Sequence, residues 1–146
     1  MEVLSSRTII HPCDLGRSLA FYGEAMGLPV AREFGAGDSR GVVFFAGGGL
    51  IEVVGPARER GSAPAEGDGV PGNRGADLAL WLQVRDIAAT LVDLESKGVT
   101  IVRAAVREPW GLVEAWIDDP DGLRIHLVEV PVDHPLRRDV RRNPDG

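Results

Sequence analysis

His11, Glu52, Glu114 and His126 are two imidazoles and two carboxylates that, if the fold brought them together, would suit a divalent metal ion. Without a metal, Glu52, Glu114 and His126 are the residue types that move protons in acid-base catalysis. Each also has a plainer use. His11 precedes Pro12 at the end of a β-prone run and can cap backbone groups, His126 can be a hydrogen-bonded cavity histidine, and Glu114 can be a salt-bridged strand residue. Cys13 is the only cysteine. Beside a helix start it could be a thiolate of lowered pKa, but no histidine base follows at a known spacing, so a buried inert thiol is expected. Trp81, Trp110 and Trp116 are three of the chain's eight aromatic residues. Planar apolar walls with a few polar groups are what a pocket for an aromatic or conjugated ligand needs, although ordinary packing between sheets also uses tryptophan.

The elements that must position these residues follow an order that occurs twice. Residues 7 to 11 form a short β-prone run. Asp14 then reads as a helix N-cap, with Leu15, Leu19, Tyr22 and Met26 at helical spacing and Gly27 as the stop. Three β-prone stretches follow, at 30–34, 42–45 and 50–54. About 72 residues further on the order recurs: a strand at 78–84, Asp86 as N-cap, Ile87, Leu91 and Leu94 as the buried stripe, Gly98 as the stop, and strands at 99–104, 112–117 and 123–128. Each half is a βαβββ module, the first at about 5–55 and the second at about 77–130. Residues 56–76 between them, rich in Gly, Ala, Pro and charge, read as a mobile linker. A phosphate cradle there would need a helix start or a GK[ST] ending, and neither is present.

A length of 146 residues fits one compact domain, here 1–130, with a tail at 131–146. With 44% hydrophobic and 26% charged residues and no apolar run near the roughly 20 residues of a membrane span, neither a membrane role nor a membrane partner is expected. The first residues carry no signal-peptide pattern and a single cysteine forms no internal disulfide, so a cytoplasmic location is expected. A net charge of -6 argues against nucleic acid as a partner. The basic tail, Arg137, Arg138, Arg141 and Arg142, is interleaved with Asp133, Asp139 and Asp145 and reads as a solvated tail or subunit contact.

The string Asp14-Leu15-Gly16-Arg17-Ser18 followed by Phe21-Tyr22 and Gly27-Leu28 resembles the first-helix signature of the vicinal oxygen chelate superfamily, the glyoxalase and bleomycin-resistance fold. Val84-Arg85-Asp86-Ile87, Pro109-Trp110-Gly111 and Asp119-Pro120-Asp121-Gly122 resemble its second module. The resemblance covers roughly 7–130 without the linker. It implies an α+β fold in which two βαβββ modules pair into an incomplete barrel around a central cavity with the helices outside. With the helix-covered faces apolar, strand alternation sends His126, Glu114, Trp116, Ala79, Trp81, Gln83 and Glu52 to the cavity and places Arg7, Ile9 and His11 on one face.

The resemblance further implies four metal-ligand positions, which fall on Arg7, Glu52, Ala79 and His126. Glu52 and His126 are suitable ligands. Arg7 stays protonated and Ala79 has no donor atom. A guanidinium about 4 Å from a divalent ion is opposed by about 8 kcal/mol at an effective dielectric near 20. An Arg7–Glu52 ion pair is expected instead, giving a polar floor able to hold a carboxylate, phenol or carbonyl.

Two function classes follow. The first is a binder without metal or other cofactor, resembling the bleomycin-resistance branch, which holds an aromatic or conjugated metabolite or antibiotic through Arg7, His11, Glu52, Trp81, Gln83, Trp110, Glu114, Trp116 and His126. The second is an enzyme of the glyoxalase, epimerase or dioxygenase kind, in which zinc, nickel, manganese or iron sits on Glu52 and His126, and Glu52, Glu114 or His126 shuttles a proton. The resemblance also implies a homodimer, with the segment from Val130 and Pro131 through His134 to Leu136 as an arm that could reach across the interface.

Overall fold

In the computed structural model, which describes residues 1–55 and 78–136, the chain forms two four-stranded sheets. The first module runs β1 (Thr8–Ile10), α1 (Leu15–Ala20), a π-helical turn (Phe21–Ala25), β2 (Val30–Phe34), a short 3₁₀ turn (Gly37–Ser39), β3 (Gly41–Ala46) and β4 (Gly49–Val54). The second runs β5 (Ala79–Val84), α2 (Ile87–Ser96), β6 (Ile101–Arg107), β7 (Val113–Asp118) and β8 (Arg124–Glu129). Strand order is β1-β4-β3-β2 in one sheet and β5-β8-β7-β6 in the other. The outer strand of each module pairs in parallel with the last, β1 with β4 and β5 with β8, and the other pairs are antiparallel. The expected βαβββ repeat is therefore present twice.

Local chemistry explains the helix starts. The Asp14 carboxylate accepts the Arg17 N–H at 2.9 Å and the Asp86 carboxylate accepts the Ala89 N–H at 2.9 Å, each satisfying an otherwise orphaned donor of the first turn. Glu129 also accepts the Ile87 N–H at 2.8 Å. The expected single helix from Leu15 to Met26 is corrected in its second half. Met26 N–H bonds to the Phe21 carbonyl, and the wider π turn leaves the consecutive residues Phe21 and Tyr22 both buried, edge to face at 5.0 Å. β6 extends to Arg107, past the expected end at 104, because it pairs with β7 as far as Arg107 opposite Val113.

One apolar cluster takes in residues of both sheets and both helices: Phe21, Tyr22, Val42, Phe44, Ile51 and Val53 from the first module, with Leu94, Ile117, Ile125 and Leu127 from the second. Leu80, Leu82 and Val84 pack against it, as alternation requires. The Tyr22 hydroxyl donates to Asp119 Oδ2 at 2.8 Å, a buried link between modules. Asp119 Oδ1 accepts the N–H groups of Asp121 and Leu123, which holds the turn before β8. The two sheets are not hydrogen-bonded to each other, so within the chain the modules do not close a barrel.

The linker residues 56–76 and the basic tail from Arg137 lie outside the described residues. The tail segment that is described folds back on its own chain: His134 Nε2 donates to the Trp110 carbonyl at 3.0 Å, and His134 Nδ1 accepts the Leu136 N–H at 3.1 Å. Among the described residues no helix is long and apolar enough to cross a membrane.

Candidate functional site

The face of the second sheet away from the shared core carries the densest set of chemistry-bearing side chains. Pairing register aligns Trp81 on β5 with His126 on β8, His126 with Trp116 on β7, and Trp116 with Arg103 on β6. Paired positions share a face, so these four form one row across the sheet. One register step along, Gln83, Val128 and Glu114 form a second row.

Glu114 is the hub. Its side chain is only 9% exposed, and Oε1 accepts Trp116 Nε1–H at 2.7 Å and lies 2.6 Å from His126 Nδ1. The carboxylate accepts, so Nδ1 carries the proton and Nε2 is the nitrogen left to meet a ligand. The rings of Trp116 and His126 are 5.2 Å apart, tilted by 33°. Arg103 lies 4.4 Å and Arg124 5.1 Å from the Trp116 ring centre, within cation–π range. Arg103 is bonded to Glu108, and Arg124 to Asp118 at 2.5 Å. The Asp118 carboxylate hydrogen-bonded to Arg124 pushes that guanidinium's pKa further up, so its charge is fixed. Two guanidinium groups thus lie over the Trp116 ring. Trp81, 52% exposed, is the indole with free surface.

The first sheet holds the second polar feature. Arg7 Nη1 donates to Glu52 Oε2 at 2.7 Å, the ion pair expected from the sequence. Glu52 sits opposite Ile9 and Val43, and its side chain is 12% exposed against 46% for Arg7. His11 takes its plainer role: Nδ1 is 3.2 Å from the Gly55 carbonyl.

The four donors His11, Glu52, Glu114 and His126 are not brought together. Among the described residues no three His, Cys, Asp or Glu side chains gather as a metal would require. The architecture puts the first two in one module and the last two in the other, each already partnered. The four positions implied by the resemblance do not fit a divalent ion either, with a guanidinium at Arg7, no donor at Ala79 and Glu52 engaged by Arg7. Cys13 is exposed rather than buried, because it lies in the loop before α1. Hydrogen bonding to the accepting Asp121 carboxylate, with that carboxylate's negative charge, raises its pKa, the opposite of an activated thiolate.

Arg103, Arg124, Glu108 and Asp118 belong to this cluster and were not singled out from the sequence. Alternation did carry a signal for Arg124, two residues from His126 on the same strand face. The register between β6 and β7, with its shift between Ile101 and Arg103, brings Arg103 to Trp116, and no local pattern encodes that. Trp110 stands exposed on the β6–β7 loop, where its carbonyl holds His134.

Residues 6–127 match the family model described as the Glyoxalase/Bleomycin resistance protein/Dioxygenase superfamily. No curated protein matches the chain. Among solved structures, the chain is similar to a member of the same superfamily from Sphaerobacter thermophilus, at 26% identity and TM-score 0.62, over 88% of this chain and 98% of that one. It is also similar to TnmS3, described as an antibiotic binding protein from Streptomyces sp. CB03234, at 19% identity and TM-score 0.66, over 89% and 98% of the two chains. A third is the lactoylglutathione lyase from Agrobacterium tumefaciens, at 20% identity and TM-score 0.61, over 88% and 94%. Twin βαβββ modules and a family match over most of the length place this chain in the Glyoxalase/Bleomycin resistance protein/Dioxygenase superfamily.

Proposed function

We propose that the protein is a cytoplasmic small-molecule-binding protein that holds an aromatic or conjugated metabolite or antibiotic without a metal and makes or breaks no bond in it. The observation that carries this reading is the Arg7–Glu52 pair: a permanent cation 2.7 Å from the one carboxylate among the four family ligand positions. With Ala79 offering no donor, too few ligands remain to hold a divalent ion against that charge. The ligand groups are then Trp81 and Gln83 on the edge strand, Trp116 and His126 beside them with Glu114 behind, and Trp110 at the loop. Arg7, Glu52 and His11 belong to the other module's half of the site. A homodimer would bring the polar face of one module opposite that of another. The antibiotic-binding description of TnmS3 supports the ligand class, while 19% identity fixes the fold alone.

The test is tryptophan quenching with a panel of planar aromatic natural products. Replacement of Trp81 and Trp116 by Ala should abolish affinity for whichever compound binds, and Glu52→Gln should weaken it modestly. Unchanged affinity in the tryptophan variants would sink the reading.

One observation favours a second reading, a divalent-metal lyase, epimerase or dioxygenase. Glu114 holding His126 Nδ1 is the arrangement that orients a metal-binding imidazole through its other nitrogen. Elemental analysis of tag-free protein after incubation with zinc, nickel, manganese and ferrous iron decides between them. About one metal per chain, lost in His126→Ala, would select the enzyme reading.

A further inference from the structure

The tight turn between β3 and β4 is Gly47–Gly48, closed by Ala46 paired with Gly49. Gly47 has φ 62° while Gly48 is not in the left-handed region, the pattern of a type II′ hairpin that needs glycine at its first central position only. Gly48 thus has no conformational need to be glycine, and a Cβ built on it meets nothing within 4 Å.

The space beside this turn is a cleft of about 630 Å³ between the modules. Met26, Leu28 and the glycine turn form its first-module wall, and Trp81, Leu82 and Leu94 stand opposite. That volume is in the range of small-molecule pockets, which are apolar with a few polar groups. Among the described residues the polar side chains of the lining are Gln83, Thr90 and Arg85, with no carboxylate among them. Trp81, an apolar side chain half in solvent, gives one end of the cleft a flat wall.

We propose that this junction cleft, beside the Glu114–His126 cluster, is the seat of the ligand's flat body and takes a planar apolar ring system that is uncharged or anionic. A cation is disfavoured because entry would strip its water with no carboxylate among the described lining residues to replace it. Since Trp81 and Gln83 serve both places, the inference rests on the binding reading and names where the flat body of a ligand lies.

The experiment titrates the full chain with anilinonaphthalene sulfonate, an anion with a flat naphthalene body, and with proflavine, a planar cation, followed by fluorescence. Gly48→Phe and Thr90→Phe fill the cleft from opposite walls, and Val92→Phe adds the same bulk on the exposed face of α2 as a control. The sulfonate should bind the wild type at least about tenfold tighter than proflavine, and both filling variants should lose it by at least that factor while Val92→Phe keeps it. Trp81→Leu should weaken it about two- to tenfold, the worth of one stacked ring. Retention by both filling variants together with loss in Trp116→Leu would overturn the cleft and leave the binding reading standing. No binding by the wild type would overturn the inference. So would a changed sedimentation coefficient in the filling variants with unchanged probe binding, which would assign the cleft to a second copy of the chain. Far-UV circular dichroism confirms that each variant is folded.

Discussion

Tyr22 is where a single residue bears most on the whole. Its hydroxyl is buried and donates to Asp119, and burial followed by the Asp119 charge pushes its pKa well above the usual phenol range. Because the folded value is raised, this contribution to stability is complete below the unfolded value near 10 and is lost as pH rises above it, where the unfolded phenol ionises and the folded one does not. Tyr22→Phe leaves Asp119 Oδ2 without this donor and should cost about 1–3 kcal/mol at pH 8. In denaturant melts between pH 8 and 10.5 the wild type should lose more stability with rising pH than Tyr22→Phe does. Parallel curves for the two would refute the assignment. Arg7→Ala acts differently. Arg7 is nearly half exposed, so solvent screening leaves the pair worth only about 0–1 kcal/mol, and a small shift in midpoint is expected.

Among the elements, the hairpins and helix starts make the sharpest claims. Gly41 lies against Phe34, and a Cβ there would fall 2.3 Å from the ring, so Gly41→Ala must displace the Phe34 ring and should destabilise by about 1–3 kcal/mol. Gly48→Ala meets nothing and should be near neutral in the same thermal melt. Asp86→Ala removes the α2 cap and should cost about 1 kcal/mol. The cap and the glycine stop of α2 were both readable in sequence, since a short acceptor side chain before an apolar stripe has few other uses. The π turn after α1 was not. Leu19, Tyr22 and Met26 keep α-helical spacing, and only the burial of Phe21 and Tyr22 side by side reveals the extra residue in the turn.

For the molecule as a whole, the apolar groups left outside the core matter most. Ile9, Phe45, Trp81, Val106 and Trp110 are each about half exposed. Ile9 shares a strand face with Arg7, and Trp81 with Gln83, so each module shows solvent a mixed apolar and polar surface. A homodimer that covers these faces is the expected state in solution. Sedimentation at micromolar concentration should report twice the 15.6 kDa chain mass, and a monomer would refute it. His134→Ala should loosen the Trp110 loop, read as faster proteolysis near residue 110, without altering the core.

The sequence by itself determined the two modules, their strand faces and the caps, because alternation and helical spacing act over a few residues or through a repeated order, whereas the Arg7–Glu52 pair was legible only through the ligand positions that the family resemblance implies. Tertiary structure alone decided which polar groups meet. Glu114, His126, Trp116 and Arg103 come together through the register of β6, β7 and β8, which is set by pairing across the whole sheet. The helix-side residues of both modules share one core, and each sheet keeps its own polar face. Residue types can say that a carboxylate and an imidazole are present. The distance between them is a property of packing.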